Sequence, residues 1–314
     1  MTPQPALRLL RGTARVPAEL RGGVVTIGAF DGLHAGHQAL LERTLARARS
    51  SKAPALMLSF EPMPREFLHP EAPPARLTNL RERWRLLEGS GLDALVLLRF
   101  DAALRGESGA AFVHRLRHDL EASALVVGHD FRFGHQGEAN ADFLREVGRS
   151  AGFAVEVLEP VVRGAERVSS SGVREALAAH DFARASRLLG RPYGMRGRVV
   201  AGQQLGRTLG FPTANIRLRR RKLPLGGIFA VRVHGIGEAP RGGVASLGTR
   251  PTVGGGEPLL ETFVFDFSGD LYGRELEIEF VAHLRDEQRF ASVELMVQQM
   301  QDDARRAREW VKAT

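Results

Sequence analysis

Between Gly23 and Val168 short apolar runs alternate with helix-patterned stretches, and this alternation limits the possible folds more than any other feature of the chain. Val24–Ile27, Ala55–Phe60, Ala94–Phe100, Ala124–Val127 and Ala154–Val157 read as strands. Helical periodicity occupies segments near 38–49, 78–89, 108–120, 139–151 and 172–179. Continuous apolar strands separated by helices are what a parallel sheet covered on both faces requires. The order therefore predicts an α/β, Rossmann-like domain. In such sheets ligands collect beyond the carboxyl ends of strands, where the strand order reverses. The residues that follow each strand are thus the candidates for chemistry.

After the first strand comes Gly28-Ala29-Phe30-Asp31-Gly32-Leu33-His34-Ala35-Gly36-His37. Glycines at a strand-to-helix turn let the backbone approach an anion, and the next helix offers free N–H groups and a positive dipole end. Imidazoles three residues apart reach one face. Zinc ligation is disfavoured, because the chain has no cysteine and no H-E-x-x-H pattern. Surface histidines capping a helix are the plainer alternative.

Three more segments follow strands. In Ser59–Phe67, Phe60 and Pro62 can wall a flat ring, although a rigid proline turn explains the segment equally well. In Val127–Gly134, Asp130, Phe131, Arg132 and Phe133 supply stacking surfaces and a phosphate clamp, or else a core-facing phenylalanine pair beside an exposed arginine. Ser169, Ser170, Ser171 and Arg174 open the last helix of this half as a cap or a second anion site.

Near residues 181–190, where we place a linker, the pattern changes to short strands separated by Gly and Pro. Arg196–Val200, Gly227–Val233, Gly243–Leu247, Leu260–Phe267 and Glu275–Val281 read as strands of an antiparallel barrel. A final helix, Ser292 to Val311, places Val293, Met296, Met300, Ala304 and Ala307 on one stripe that packs on the barrel. Within this half Gly206-Arg207-Thr208-Leu209-Gly210-Phe211-Pro212-Thr213-Ala214-Asn215 offers hard oxygens beside a glycine-bearing loop, which suits phosphates and Mg²⁺. In isolation the Pro-Thr-Ala-Asn stretch reads as a plain turn.

The 314 residues suit two domains, and 43% hydrophobic with 25% charged residues is ordinary globular composition. A net charge of +8 fits either nucleic-acid binding or the handling of polyphosphates. The one dense basic run, Arg217-Leu218-Arg219-Arg220-Arg221-Lys222, lacks a recognisable nucleic-acid module around it and reads as a solvated loop. The absence of cysteine agrees with a reducing cytoplasm, and Met1–Leu20 has neither a signal-peptide nor a membrane-span pattern. No G-x-x-x-x-G-K-[ST] is present, which excludes a P-loop kinase.

Taken in order, these motifs resemble those of bacterial bifunctional riboflavin kinase/FMN adenylyltransferases. The first ten-residue turn is similar to G-x-F-D-G-x-H-x-G-H, with Ala29 where many members carry Asn. Ser59–Phe67 resembles F-[DE]-P-x-P, with Met63 where many have His. Val127–Gly134 resembles V-G-x-D-F-x-F-G, and Val168–Arg174 resembles I-S-S-T-x-I-R with Ser171 for Thr. Gly206–Asn215 resembles the riboflavin kinase signature. Ser246–Thr252 and the stretch from Glu261 through Asp266 and Phe267 to Leu271-Tyr272-Gly273 resemble its downstream motifs.

The resemblance implies an adenylyltransferase domain over 1–182 and a kinase domain over 183–314, the latter a six-stranded antiparallel β-barrel with a terminal helix. It implies that ATP for adenylyl transfer meets Gly28, Phe30, Asp31, Gly32, His34, Gly36, His37, Ser169, Ser170, Ser171 and Arg174, with His34 and His37 catalytic. FMN would meet Phe60, Pro62, Asp130, Phe131 and Arg132. In the kinase, Gly206, Arg207, Gly210, Pro212, Thr213 and Asn215 would hold ATP, with Thr213 and Asn215 on Mg²⁺. Glu261 would be the base, and Arg285 would lie in a mobile loop at the flavin. The substrates implied are riboflavin, FMN and ATP, in a cytoplasmic monomer or weak homo-oligomer. Two alternatives stand beside this reading: a member that kept one activity, and a basic nucleic-acid-binding protein.

Overall fold

In the first half the five stretches expected to form strands, joined by a sixth strand at one edge, form a parallel sheet in the order β1-β4-β3-β2-β5-β8. Its members are β1 (Arg8–Arg11), β2 (Val24–Ile27), β3 (Ala55–Glu61), β4 (Ala94–Arg99), β5 (Ala124–Gly128) and β8 (Ala154–Leu158). Two short hairpins pair β6 (Arg132–Phe133) with β7 (Ala139–Asn140), and β9 (Val162–Arg163) with β10 (Glu166–Arg167). The computed structural model describes residues 6–202, 209–249 and 258–313. These divide into two compact units, 1–74 with 83–169 and 75–82 with 170–314.

The helices are α1 (Ala35–Ser51), α2 (Pro64–Leu68), α3 (Leu80–Leu87), α4 (Ala102–Gly106), α5 (Gly109–His118), α6 (Ala141–Ala151), α7 (Ser170–Ala178), α8 (Phe182–Leu189) and α9 (Val293–Ala313). Every residue of β2 is buried, as expected for a central strand that helices cover. Helix α1 packs on β2, β3 and β5. Strand β1, unforeseen from the sequence, pairs with β4 at the sheet edge. Its four residues, Arg-Leu-Leu-Arg, are too short and too polar to announce a strand.

The second unit holds a closed antiparallel barrel, ordered β11-β12-β15-β14-β13-β16. Its strands are β11 (Gly194–Val200), β12 (Thr213–Arg217), β13 (Gly227–His234), β14 (Arg241–Thr249), β15 (Pro258–Val264) and β16 (Glu275–Arg285). Burial alternates strictly along β16, the signature of one face in the barrel interior. Helix α9 packs outside β13, β14 and β16, where Ala304 and Ala307 join Ile228, Ala230, Phe265, Ala282 and Leu284.

Several expectations are corrected. The segment placed as a linker, 181–190, is helix α8. Asp181 caps it by accepting the Arg184 N–H at 2.8 Å, and Gly190 ends it with φ 72°. Ala185, Leu188 and Leu189 are buried, so hydrophobic contact outweighs the small size of this helix. Of the Pro-Thr-Ala-Asn stretch, Thr213, Ala214 and Asn215 begin strand β12 rather than a turn, because β15 supplies their ladder partners. Val293 is exposed, so the packed stripe of α9 begins later. The basic run is not simply solvated: Arg220 is buried, and its guanidinium donates to Glu82 Oε2 (2.5 Å), to the Arg76 and Leu77 carbonyls (2.8 and 3.0 Å) and to the Tyr193 hydroxyl (3.0 Å). Arg285 lies at the end of β16, not in a loop.

Candidate active sites

Strand β2 sits between β3 and β5, where the order of the parallel sheet reverses, and its carboxyl end opens into Gly28–His37. This turn is tightly wound. Phe30 and Leu33 adopt left-handed φ values of 51° and 44°, and Gly32 has φ 82°. Non-glycine residues persist there only when their surroundings hold them. Phe30 is fully buried, and Asp31 and Leu33 are nearly so.

His34 is the N-cap of α1, its Nδ1 accepting the His37 N–H at 3.3 Å. That bond assigns the imidazole proton to Nε2. The rings of His34 and His37 stack with centroids 3.6 Å apart and planes 15° apart, and Phe30 meets His37 edge-on at 5.1 Å. Nδ1 of His37 is buried without a hydrogen-bond partner among the described residues. Burial, then the neighbouring His34 and Arg83, hold the His37 imidazolium well below its ordinary range, so the ring is neutral at pH 7. A methyl group at Gly36 would lie 3.2 Å from His34 Cε1, and one at Gly28 would lie 3.3 Å from the Phe30 ring. The motif's small residues are thus what lets the rings lie close to the backbone. Two imidazoles at the start of a 17-residue helix make a cradle for an anion.

The other post-strand residues divide between core and surface. Phe60 belongs to the core, with its ring edge-on to Phe100 at 5.9 Å, while Pro62 is exposed. Phe131 stacks on the buried Phe133 at 5.3 Å. Arg132 is exposed, and Asp130 pairs with Arg167 at 2.6 Å. In the second unit Ser170 begins α7, Ser171 is exposed, and Nε of Arg174 donates to the Ala75 carbonyl at 2.6 Å. Sequence reasoning passed over Arg83, which is fully buried beneath the Gly28–His37 turn. The available signal was an arginine four residues before Leu87 on the buried side of a helical stretch.

In the barrel, Asn215 on β12 lies directly opposite Glu261 on β15, and Glu261 lies opposite Ser246 on β14. Directly opposed residues share a face, with Cβ atoms about 4.5–5.5 Å apart. Thr213 precedes Asn215 by two residues and shares that face. Asn215 is 6% exposed, and its Oδ1 has no hydrogen-bond partner among the described residues. A methyl group at Gly202 would lie 2.3 Å from Asn215 Nδ2, so the backbone at 202 closes over the amide. One cleft of about 440 Å³ is lined by Ser246, Gly248, Glu261, Glu287 and Arg289. A second, of about 630 Å³, is lined by Pro212, Thr213, Thr262, Asp270 and Tyr272. Gly210 has φ 82°, whereas Gly206 and Arg207 lie outside the described residues. Arg285 makes a bidentate ion pair with the buried Asp303, Nη2 donating to Oδ2 at 2.8 Å and Nε to Oδ1 at 3.2 Å, and stacks over Phe290 at 5.6 Å.

Both halves of the chain match known protein families. The FAD synthetase family profile matches residues 16–172, and the riboflavin kinase family profile matches residues 189–311. The chain belongs to the bifunctional riboflavin kinase/FMN adenylyltransferase family. A member of that name from Pseudomonas fluorescens is 46% identical over 304 residues, covering 96% of this chain and 97% of the relative. Another, from Escherichia coli K12, is 42% identical over 311 residues, covering 98% and 99%. Members of this family are transferases with two domains, and both profiles fall in order along the chain. Among solved structures, one titled a macrolide-efflux protein from Streptococcus pneumoniae is similar at a TM-score of 0.82 and 30% identity, covering 97% of this chain and 100% of that one. Among the described residues no helix is long and apolar enough to cross a membrane.

Proposed function

We propose that the chain phosphorylates riboflavin to FMN in the 183–314 domain and adenylylates FMN to FAD in the 1–182 domain. The observation that carries the kinase reading is the row Asn215–Glu261–Ser246 across three adjacent strands. The nucleophile there is a neutral ribityl hydroxyl, so a base is needed. Glu261 takes that proton as the hydroxyl oxygen attacks the γ-phosphorus of ATP, and ADP leaves. The orphaned Asn215 oxygen, with Thr213 beside it, is the hard donor set that Mg²⁺ prefers. When bound, Mg²⁺ neutralises charge on the phosphates. Gly206, Arg207, Gly210 and Pro212 are assigned to ATP, and Arg285 to the flavin.

In adenylyl transfer the nucleophile is the FMN phosphate, already an anion, so no base is required. Its oxygen bonds to the α-phosphorus of ATP, and pyrophosphate departs. The site supplies positioning and positive potential. Gly28, Phe30, Asp31, Gly32 and Gly36 shape the turn that presents His34 and His37 to the phosphates. Ser169, Ser170, Ser171 and Arg174 are assigned to nucleotide phosphates. Pro62, Asp130, Phe131 and Arg132 are assigned to FMN, with Phe60 supporting them from the core. The absence of cysteine supports a cytoplasmic setting, and the chain is assigned as a monomer or weak homo-oligomer.

The test is to incubate the purified chain with riboflavin, ATP and Mg²⁺ and to separate the flavins by chromatography. FMN followed by FAD is the expected result; absence of both refutes the reading. Glu261→Gln should abolish FMN formation while FAD formation from supplied FMN continues.

A further inference from the structure

Beneath the Gly28–His37 turn lies a charge that the reaction as described does not use. Arg83, from α3, is 0% exposed. Its guanidinium donates to the Ala29 carbonyl at 2.6 Å, to Ser59 Oγ at 3.0 Å and to Glu61 Oε2 at 3.2 Å. Ser59 Oγ also donates to the Ala29 carbonyl, at 3.3 Å. Two donors from outside the turn therefore converge on the one carbonyl that precedes the left-handed Phe30. Burying a guanidinium is costly, and its carboxylate partner, Glu61, keeps a side chain 30% exposed. Such a charge is an expensive way to fill a core position that leucine or methionine would fill. It is well suited to hold a strained turn and to place a permanent cation behind the cradle.

We propose that Arg83 is a positioning residue for adenylyl transfer: by clamping the Ala29 carbonyl it fixes the left-handed turn that presents His34 and His37 to the nucleotide phosphates. The inference rests on the assignment of that turn to adenylyl transfer. The planar fork is essential to it. Arginine reaches three acceptors in different directions, whereas a lysine ammonium at the end of its stem is a point charge that reaches fewer. If the fork slackens, the histidines lose alignment although their chemistry is intact. Errors of about 1 Å in such placement cost ~100-fold in rate. His34 from the same turn and Arg83 are the titratable or charged groups acting on His37, so the Arg83 cation also has a signature in the titration of that ring.

The experiment compares the full chain with His37→Ala, Arg83→Lys and Arg83→Met, measuring FAD formation from FMN and ATP, FMN formation from riboflavin, and the His37 titration by NMR. Arg83→Met should lower kcat for FAD formation about 10–100-fold with little change in KM for ATP. It should also raise the His37 pKa and leave FMN formation within about twofold of the parent. Arg83→Lys should keep the His37 titration where it was and recover part of kcat. FAD formation undiminished in His37→Ala would overturn the site assignment itself. FAD formation abolished in His37→Ala but unchanged in Arg83→Met would overturn the role of Arg83 alone. So would a loss in Arg83→Met no larger than its loss of folded protein by circular dichroism.

Discussion

Glu82→Ala is the substitution whose consequence the structure specifies most fully. Glu82 lies in the first half of the sequence but belongs to the unit formed by 75–82 and 170–314. Its carboxylate accepts from Arg220 (2.5 Å), from the Arg196 N–H (2.8 Å) and from the Asn79 N–H (2.7 Å). Glu82 and Arg220 are both nearly inaccessible, with side chains 7% and 0% exposed. Removing one partner of a buried pair costs about 3–5 kcal/mol, since the remaining charge stays desolvated. Arg220 keeps its bonds to the Arg76 and Leu77 carbonyls, which draws the electrostatic part toward the lower end. The two lost backbone contacts add about 1 kcal/mol each. A total of ~5 kcal/mol follows, or roughly 10–20 °C in Tm at about 2–4 °C per kcal/mol for a domain of this size class. Trp84 belongs to the other unit and Trp310 to this one, so a Trp84→Phe background makes Trp310 emission a reporter of the unit concerned. Its midpoint should fall by that amount, and Arg220→Met added to Glu82→Met should restore part of the loss. An unchanged midpoint, or a double variant worse than the sum of the singles, would refute the reasoning.

The depressed His37 pKa predicts a pH dependence of stability. The unfolded chain binds a proton near the ordinary histidine value of 6.5, and the folded chain refuses it until lower pH, so the stabilisation is full above about 6.5 and is lost on acidification below it. The midpoint of Trp84 emission in a Trp310→Phe background should therefore fall more steeply between pH 7 and 5 in the parent than in His37→Asn; equal slopes would contradict it. Gly202→Ala should lower FMN formation at least about tenfold, because its methyl group lies 2.3 Å from Asn215 Nδ2 and must displace the amide. FAD formation from supplied FMN is the internal control and should be unaffected.

Much of the fold was legible because the parallel sheet writes itself into the chain locally. Val24–Ile27 is β-branched throughout and is a central strand, and the helix that follows β2 is found where glycines and histidines announce a phosphate turn. The barrel was harder to read. Pro212–Asn215 reads in isolation as a turn, and Thr213–Arg217 becomes a strand because β15 pairs with it. The stretch 181–190 has linker composition, yet Ala185, Leu188 and Leu189 find a buried surface and hold it as a helix.

The motifs named the candidate residues, and the register placed some of them. A sequence can place Asn215, Glu261 and Ser246 in a plausible order, but only antiparallel pairing sets them in one row, since residues 15 to 46 positions apart by chain meet solely through the ladder. The same limit applies to the two arginines that sequence reasoning misjudged or missed. Arg220 sits in a run that reads as solvent-exposed, and Arg83 sits in an ordinary amphipathic helix. Their burial depends on acceptors at Glu82, Ser59 and the Ala29 carbonyl, which are distant in sequence. Residue type and spacing determined which chemistry the chain can carry. The tertiary structure decided which charges are desolvated, because desolvation is a property of everything packed around a group and not of the residue itself.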